Sequence, residues 1–266
     1  MHAAVLGSPI RHSLSPVLHN AAYAELGLDH DYSAIDVTAD TFRGFIQDLD
    51  DSWLGLSLTM PLKEIAFDVA DEVSSVALLA RAINTLIIGE SIQADNTDVL
   101  GIVNAVREMT SHPINHAVIF GSGATARSSI IAASQLGAQS VHAVARNHKA
   151  LDECRIVATK LGMAFSDVSI SEVEFDATTL TINTTPAGVA DALADAVIDP
   201  QGSVLDVVYH PWPSAVAQRW LTADCTAIPG YLMLLHQAAK QVELMTDHEA
   251  PLFAMRQALM DALAQR

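Results

Sequence analysis

Ala117-Val118-Ile119-Phe120-Gly121-Ser122-Gly123-Ala124-Thr125-Ala126 is an apolar run that breaks at a small-residue turn and resumes in helix-forming sequence. A short apolar run ending in glycine reads as a buried strand, and the amphipathic stretch over 124–136 reads as the helix after it. The two glycines allow a tight turn and let a backbone approach a ligand closely. The helix that follows offers unpaired N–H groups and a partial positive charge to an anion. A GxGxxA turn can also be a plain strand-to-helix connection. Here both flanking elements are present, which a dinucleotide pyrophosphate site requires.

The next strand ends in Val144-Ala145-Arg146-Asn147-His148-Lys149. A site for NAD usually places Asp or Glu here, to hold the ribose 2′-hydroxyl. This turn has no acid and two firm cations. Arg146 stands where a guanidinium can bind a 2′-phosphate through two parallel hydrogen bonds. The ordinary alternative is an Arg and a Lys on a solvated turn. In a chain with only 14 Lys and Arg residues, two placed here favour NADP.

Outward from this unit, short apolar runs alternate with amphipathic stretches over the whole chain, the pattern of an α/β protein with largely parallel sheets. Strands are expected at 3–6, 32–37, 54–58 and 85–88, with helices at 16–26, 40–48 and 63–69. A second series has strands at 117–120, 141–145, 180–183 and 204–208, with helices at 124–136, 149–160 and 213–221. A helix beginning at 98–103 links the two series. Residues 231–266 carry no strand signal and read as two helices broken around 246–251.

Half of the residues are hydrophobic and 17% are charged, so the chain can bury a core and is not disordered. It has 31 Asp and Glu residues, and its net charge of −17 argues against a nucleic-acid partner. The same charge repels an anionic ligand at long range, so such a ligand needs local donors or cations. No apolar run reaches about 18 residues, which speaks against a membrane span, and the N-terminus reads as a strand rather than a signal peptide. Cys154 and Cys225 lie far apart without metal-type spacing, which suits a reducing cytoplasm.

Three further segments carry candidate chemistry. Gly55 to Lys63 leaves a strand through Pro61, which sets Lys63 in a first helical turn at the end of the sheet where open α/β proteins bind ligands. A lysine there is disfavoured by the helix dipole, so its placement invites a reason, although a lone lysine is usually a surface residue. Asp95-Asn96-Thr97-Asp98 precedes a helix. Asp98 could be a cap, or it could share with Lys63 the proton of a hydroxyl being oxidised. A free lysine titrates at about 10.4; enclosure lowers that value and a neighbouring carboxylate opposes the change. Ser13 and Ser15, in Gly7 to Pro16, are either turn and cap residues or neutral donors to a carboxylate. His12 and His19 read as local structural residues, since no metal-ligand cluster surrounds them, and no metal is expected.

Eight segments, in order, resemble the shikimate dehydrogenase family: Ser8–Asn20, Leu58–Lys63, Ile83–Leu86, Asn96–Gly101, the Gly121 loop, Asn183–Gly188, Asp206–Pro211 and Gly230–Gln237. The resemblance implies an N-terminal α/β substrate domain over 1–98, completed by helices over 235–266, and a Rossmann-type domain with a parallel sheet over 99–234. It makes Lys63 and Asp98 the catalytic pair. Ser13 and Ser15, helped by Tyr209, would bind the substrate carboxylate, and Thr59, Lys63, Asn84, Asp98 and Gln237 the ring hydroxyls. Gly121, Ser122, Gly123, Ala124 and Thr125 would cradle the NADP pyrophosphate, with Arg146, Asn147 and Lys149 around the 2′-phosphate. Thr184, Val207 and Gly230 would line the nicotinamide side. The implied reaction is reversible reduction of 3-dehydroshikimate to shikimate by a cytoplasmic monomer or homodimer.

Three positions depart from the family pattern. Ser57 stands where many relatives have Asn, which predicts one polar contact fewer near the site. Arg81 stands where Gly is frequent, and Asn147 where Thr is common, with Lys149 off the second basic position. A quinate/shikimate dehydrogenase using NAD is the nearest alternative; it often carries Thr in place of Ser15 and an acid near position 146. A non-catalytic NADP-sensing regulator would not need both Lys63 and Asp98, and a plain Rossmann scaffold leaves the polar residues of the first domain unexplained.

Overall fold

A computed structural model describes the backbone of residues 1–266 and every side chain except that of His148. The chain forms two compact units, Met1–Thr97 with Leu234–Arg266, and Asp98–Met233.

The first unit contains β1 (His2–Gly7), α1 (Ser15–Glu25), β2 (Asp31–Asp36), α2 (Ala39–Gln47) and β3 (Trp53–Leu58), followed by β4 (Glu72–Val73), α3 (Ser75–Ala80), β5 (Thr85–Ile87) and β6 (Gln93–Asp95). Its sheet runs β2-β1-β3-β5-β6-β4. The pairs of β1 with β2 and β3 are parallel, whereas β5 is antiparallel to both β3 and β6. The pair of β4 with β6 is parallel too, so this sheet is mixed, with β5 its one antiparallel strand. The short chain between β5 and β6 allows a hairpin, while a parallel return needs a crossover of a dozen residues or more. Leu6, Leu56, Leu58, Leu62, Leu86 and Phe42 form its core.

A second difference concerns 63–69. Only Ile65–Asp68 is helical there, as one 3-10 turn. The Leu62 N–H bonds to Thr59 O at 2.8 Å, closing a tight turn through Pro61. Lys63 thus stands in a turn rather than in the first turn of an α-helix, and the helix-dipole penalty does not arise.

The second unit holds α4 (Asp98–Met109), β7 (His116–Phe120), α5 (Ala124–Gln135), β8 (Ser140–Val144), α6 (His148–Lys160), β9 (Ala164–Asp167), β10 (Thr179–Asn183), α7 (Asp191–Ala196), β11 (Ser203–Asp206), α8 (Ala215–Leu221) and β12 (Thr226–Pro229). Its sheet runs β12-β11-β10-β7-β8-β9, with every pair parallel. That is the doubly wound dinucleotide-binding order, whose switch point lies between β7 and β10. Trp220 is fully buried in the core under β11, and its indole N–H donates to Gln201 O at 3.2 Å. Two helices close the chain, α9 (Gly230–Thr246) and α10 (Leu252–Ala264), on either side of the expected break, and the division between the units falls inside α9. Among the described residues, no helix is long and apolar enough to cross a membrane.

Candidate active site

In the first unit the exits of β1 and β3 and the entry of β5 are stitched together by backbone bonds. Thr59 N–H donates to Leu6 O at 2.9 Å, Ser8 N–H to Met60 O at 3.0 Å, Leu58 N–H to Asn84 O at 2.8 Å and Ile83 N–H to Lys63 O at 2.8 Å. A Cβ on Gly7 would overlap the Thr59 methyl and lie 2.9 Å from Met60 O, so only glycine allows this approach. The last of those bonds ties half-buried Lys63 to the residue before Asn84, at the entry of β5.

Asn84 is 2% exposed. Its Nδ2 donates to Thr97 Oγ1 at 2.9 Å and to Gln237 Oε1 at 3.4 Å, and its Oδ1 accepts from Thr97 N–H at 2.8 Å. Thr59, Lys63, Asn84 and Gln237 therefore belong to one region of one unit. Ser13 and Ser15 follow the exit of β1, where Ser13 Oγ accepts the Ser15 N–H at 3.2 Å, the turn role given above as one alternative; Leu14 stands at the N-cap of α1, which has no side-chain cap. Ser15 itself is 5% exposed at the start of α1.

The remaining candidates lie in the second unit. Gly121 has φ +106, a left-handed value that favours glycine, and a Cβ there would sit 2.5 Å from Thr184 Oγ1. The Thr184 hydroxyl donates to Phe120 O at 2.8 Å, so β7 and β10 end in contact at the switch point. Gly123 is different. Its φ of −81 suits any residue and a Cβ would meet no protein atom within 4 Å, so neither backbone nor packing requires a glycine. The α5 N-terminus beyond it, Ala124 and Thr125, has no side-chain cap and no acid in its first turn. Open space above uncapped N–H donors fits a pyrophosphate. Beneath this turn the Cys154 thiol donates to Ser122 O at 3.8 Å, and burial pushes that thiol up to about 11.

Arg146 and Lys149 are exposed after β8, and Asn147 caps α6 by accepting the Ala150 N–H at 3.2 Å. Arg146 and Lys149 can hold the 2′-phosphate; Asn147 has a structural task of its own. Asp98 opens α4 and is 4% exposed; Tyr209 follows β11 and is half-buried. A Cβ on Gly230 would overlap Val207 O and Asp206 O, so α9 starts hard against the loop carrying Val207.

The sequence reading overlooked Asp206, a fully buried carboxylate. It accepts from Asn183 Nδ2 at 3.0 Å, Val208 N–H at 3.0 Å and Ser214 Oγ at 2.5 Å. Burial raises its pKa, against the pull of these donors. One side chain thus ties together the segments that carry Thr184 and Tyr209. Its only sequence signal was its place in Asp206–Pro211.

Comparison with known proteins completes the assignment. A family profile described as "Shikimate dehydrogenase substrate binding domain" matches residues 5–86, and "Shikimate 5'-dehydrogenase C-terminal domain" matches 230–260. The chain is 31% identical over 279 residues to the shikimate dehydrogenase (NADP(+)) of Prochlorococcus marinus strain MIT 9312, covering 98% of this chain and 97% of the relative. It belongs to the shikimate dehydrogenase family. The fold agrees: the Mycobacterium tuberculosis shikimate dehydrogenase superposes with a TM-score of 0.87 at 36% identity, covering 98% of this chain and 99% of that one. The Thermus thermophilus shikimate 5-dehydrogenase, solved in complex with NADP(H) and shikimate, has a TM-score of 0.87 at 27% identity with the same coverage.

Ser57, the first departure from the family pattern, has two polar partners of its own. Its hydroxyl accepts from Tyr32 Oη at 2.6 Å and donates to Gln241 Oε1 at 2.8 Å. Sequence reasoning missed Gln241 and Thr97 because their partners lie far along the chain or in a segment that also reads as a cap.

Proposed function

We infer that this member of the shikimate dehydrogenase family is an NADP-dependent oxidoreductase that interconverts 3-dehydroshikimate and shikimate, a step of aromatic amino-acid (chorismate) biosynthesis. The observation that carries the reading is half-buried Lys63, tied through its carbonyl to Ile83, the residue before Asn84, whose carboxamide belongs to a polar cluster suited to ring hydroxyls. Carboxamides and hydroxyls both donate and accept, as a polyol requires. The turn at Gly121 to Thr125 supports a pyrophosphate, and Arg146 with Lys149 supports the 2′-phosphate that distinguishes NADP.

NADP, when bound, supplies or accepts the hydride at its nicotinamide C4. In the oxidative direction carbon C3 of shikimate would give up its hydrogen as hydride, while the proton of the hydroxyl on that carbon would pass to the Lys63 amine, with Asp98 holding that proton in place. In the reductive direction the ammonium returns the proton to the carbonyl oxygen as hydride arrives at carbon. Ser13, Ser15 and Tyr209 would fix the carboxylate, with Thr59, Asn84 and Gln237 fixing the ring. Thr184, Val207 and Gly230 would flank the nicotinamide. We place the enzyme in the cytoplasm, as a monomer or homodimer, with a small-molecule substrate as its partner; both cysteines are free thiols.

The test is a spectrophotometric assay of shikimate and quinate, each with NADP and NAD. NADP-linked oxidation of shikimate is expected. Activity mainly with NAD and quinate would transfer the chain to the quinate branch, and silence in all four would favour the sensing regulator. Lys63→Ala should abolish turnover while NADP binding, read by fluorescence, survives.

A further inference from the structure

Gln241 lies on α9, one helical turn after Gln237 and hence on the same face. It is 1% exposed, and its carboxamide uses its full capacity. Nε2 donates to Asn84 O at 3.1 Å and to Thr85 Oγ1 at 3.0 Å; Oε1 accepts from Ser57 Oγ at 2.8 Å and His19 Nε2 at 3.3 Å. Two chains of hydrogen bonds meet there, each with a definite sense. Tyr32 Oη donates to Ser57, and Ser57 to Gln241. Gln241 donates to Thr85, whose hydroxyl donates to Asn84 Oδ1 at 2.8 Å. That last bond orients Asn84: its oxygen faces Thr85 and the Thr97 N–H, and its amide nitrogen faces Thr97 Oγ1 and Gln237.

We propose that Gln241 is a positioning residue for substrate, setting through Thr85 which way the Asn84 carboxamide faces and fixing α9, with Gln237, against β3 and β5. The proposal rests on the functional reading that Asn84 and Gln237 hold ring hydroxyls. Ser57 and Thr85 are directly paired across β3 and β5, so one amide entering from α9 satisfies both. Ser57 is too short to span this gap. This chain supplies the carboxamide from α9, so positions 57 and 241 act as one unit, and an asparagine at 57 would supply one from β3.

The experiment compares Gln241→Ala, Thr85→Val and the double variant Ser57→Asn/Gln241→Ala with the wild type. For Gln241→Ala the shikimate KM should rise about tenfold, the effect of losing a buried hydrogen bond or two, with kcat changed less and the NADP Kd unchanged. Thr85→Val keeps the shape and breaks the same relay, so it should move KM in the same direction; it decides the matter if Gln241→Ala does not fold. The double variant should recover most of the lost affinity. Unchanged KM in a folded variant, no recovery in the double variant, or parallel loss of shikimate and NADP binding would overturn the proposal. An inactive wild type would overturn the parent reading and this one with it, whereas an active wild type beside an indifferent Gln241→Ala overturns this one alone.

Discussion

Arg81 closes α3 with φ 50 and ψ 41, the left-handed cap that helices normally give to glycine. That conformation costs a side-chain-bearing residue about 1 kcal/mol. Arg81→Gly should therefore be more stable than Arg81→Ala by about that amount in urea unfolding, since both lose the guanidinium and only one gains backbone freedom. Equal midpoints would show that the cap is not strained. Arg146 is exposed, so the contact proposed for it with the 2′-phosphate would be a charge-assisted bond in solvent. Arg146→Ala should raise the NADP KM about tenfold and leave the NAD KM unchanged; a matching rise for both would place its role elsewhere. Residues of this kind were legible in the sequence because each sits inside a local motif. Gln241 was not, because its partners Ser57 on β3, Asn84 before β5 and His19 on α1 come together only in the folded unit.

The α1 helix is held to β2 by stacking as well as by apolar packing. The His19 ring stacks on Tyr32 at 3.9 Å and is fully buried, and desolvation lowers its pKa from 6.5 to about 3 despite the bond to Gln241. The folded state thus binds this proton less readily than the unfolded chain. Its contribution to stability is complete above 6.5 and is lost as pH falls toward 3. Between pH 7 and pH 5 the loss amounts to about 2 kcal/mol. His19→Gln, which keeps a donor without titrating, should flatten the unfolding midpoint over this interval by a comparable amount; an unchanged pH profile would mean that the ring is protonated or solvated. At this scale the sequence was legible where a periodic run was long enough. The strands at 117–120 and 180–183 and the helices over 124–136 and 231–266 carried clear signals. The two-residue β4, the polar β6 and the 3-10 turn at Ile65–Asp68 did not, because pairing partners and the turn at Pro61 set them rather than any periodicity. The strand expected over 204–208 stops at Asp206 because that carboxylate turns back to take the Val208 N–H.

Across the whole molecule, 31 acids against 14 Lys and Arg residues leave a net charge of −17, and the proposed substrate and cofactor are both anions. The field repels them at long range, and the candidate contacts to the substrate carboxylate, Ser13, Ser15 and Tyr209, are neutral donors that gain little from net charge. Such donors also lose little to salt, because their strength is local, whereas repulsion over distances beyond about 10 Å is screened at 0.1 M ionic strength. The two effects point the same way for shikimate. With NADP saturating, kcat/KM for shikimate should rise about two- to three-fold as KCl increases from about 10 to about 100 mM. NADP should respond less, because salt that relieves the overall repulsion would also weaken the contacts proposed for it with Arg146 and Lys149. A steady fall in kcat/KM for shikimate over the same range would mean that a local cation, Lys63 first among them, outweighs the molecule's field in capturing the substrate.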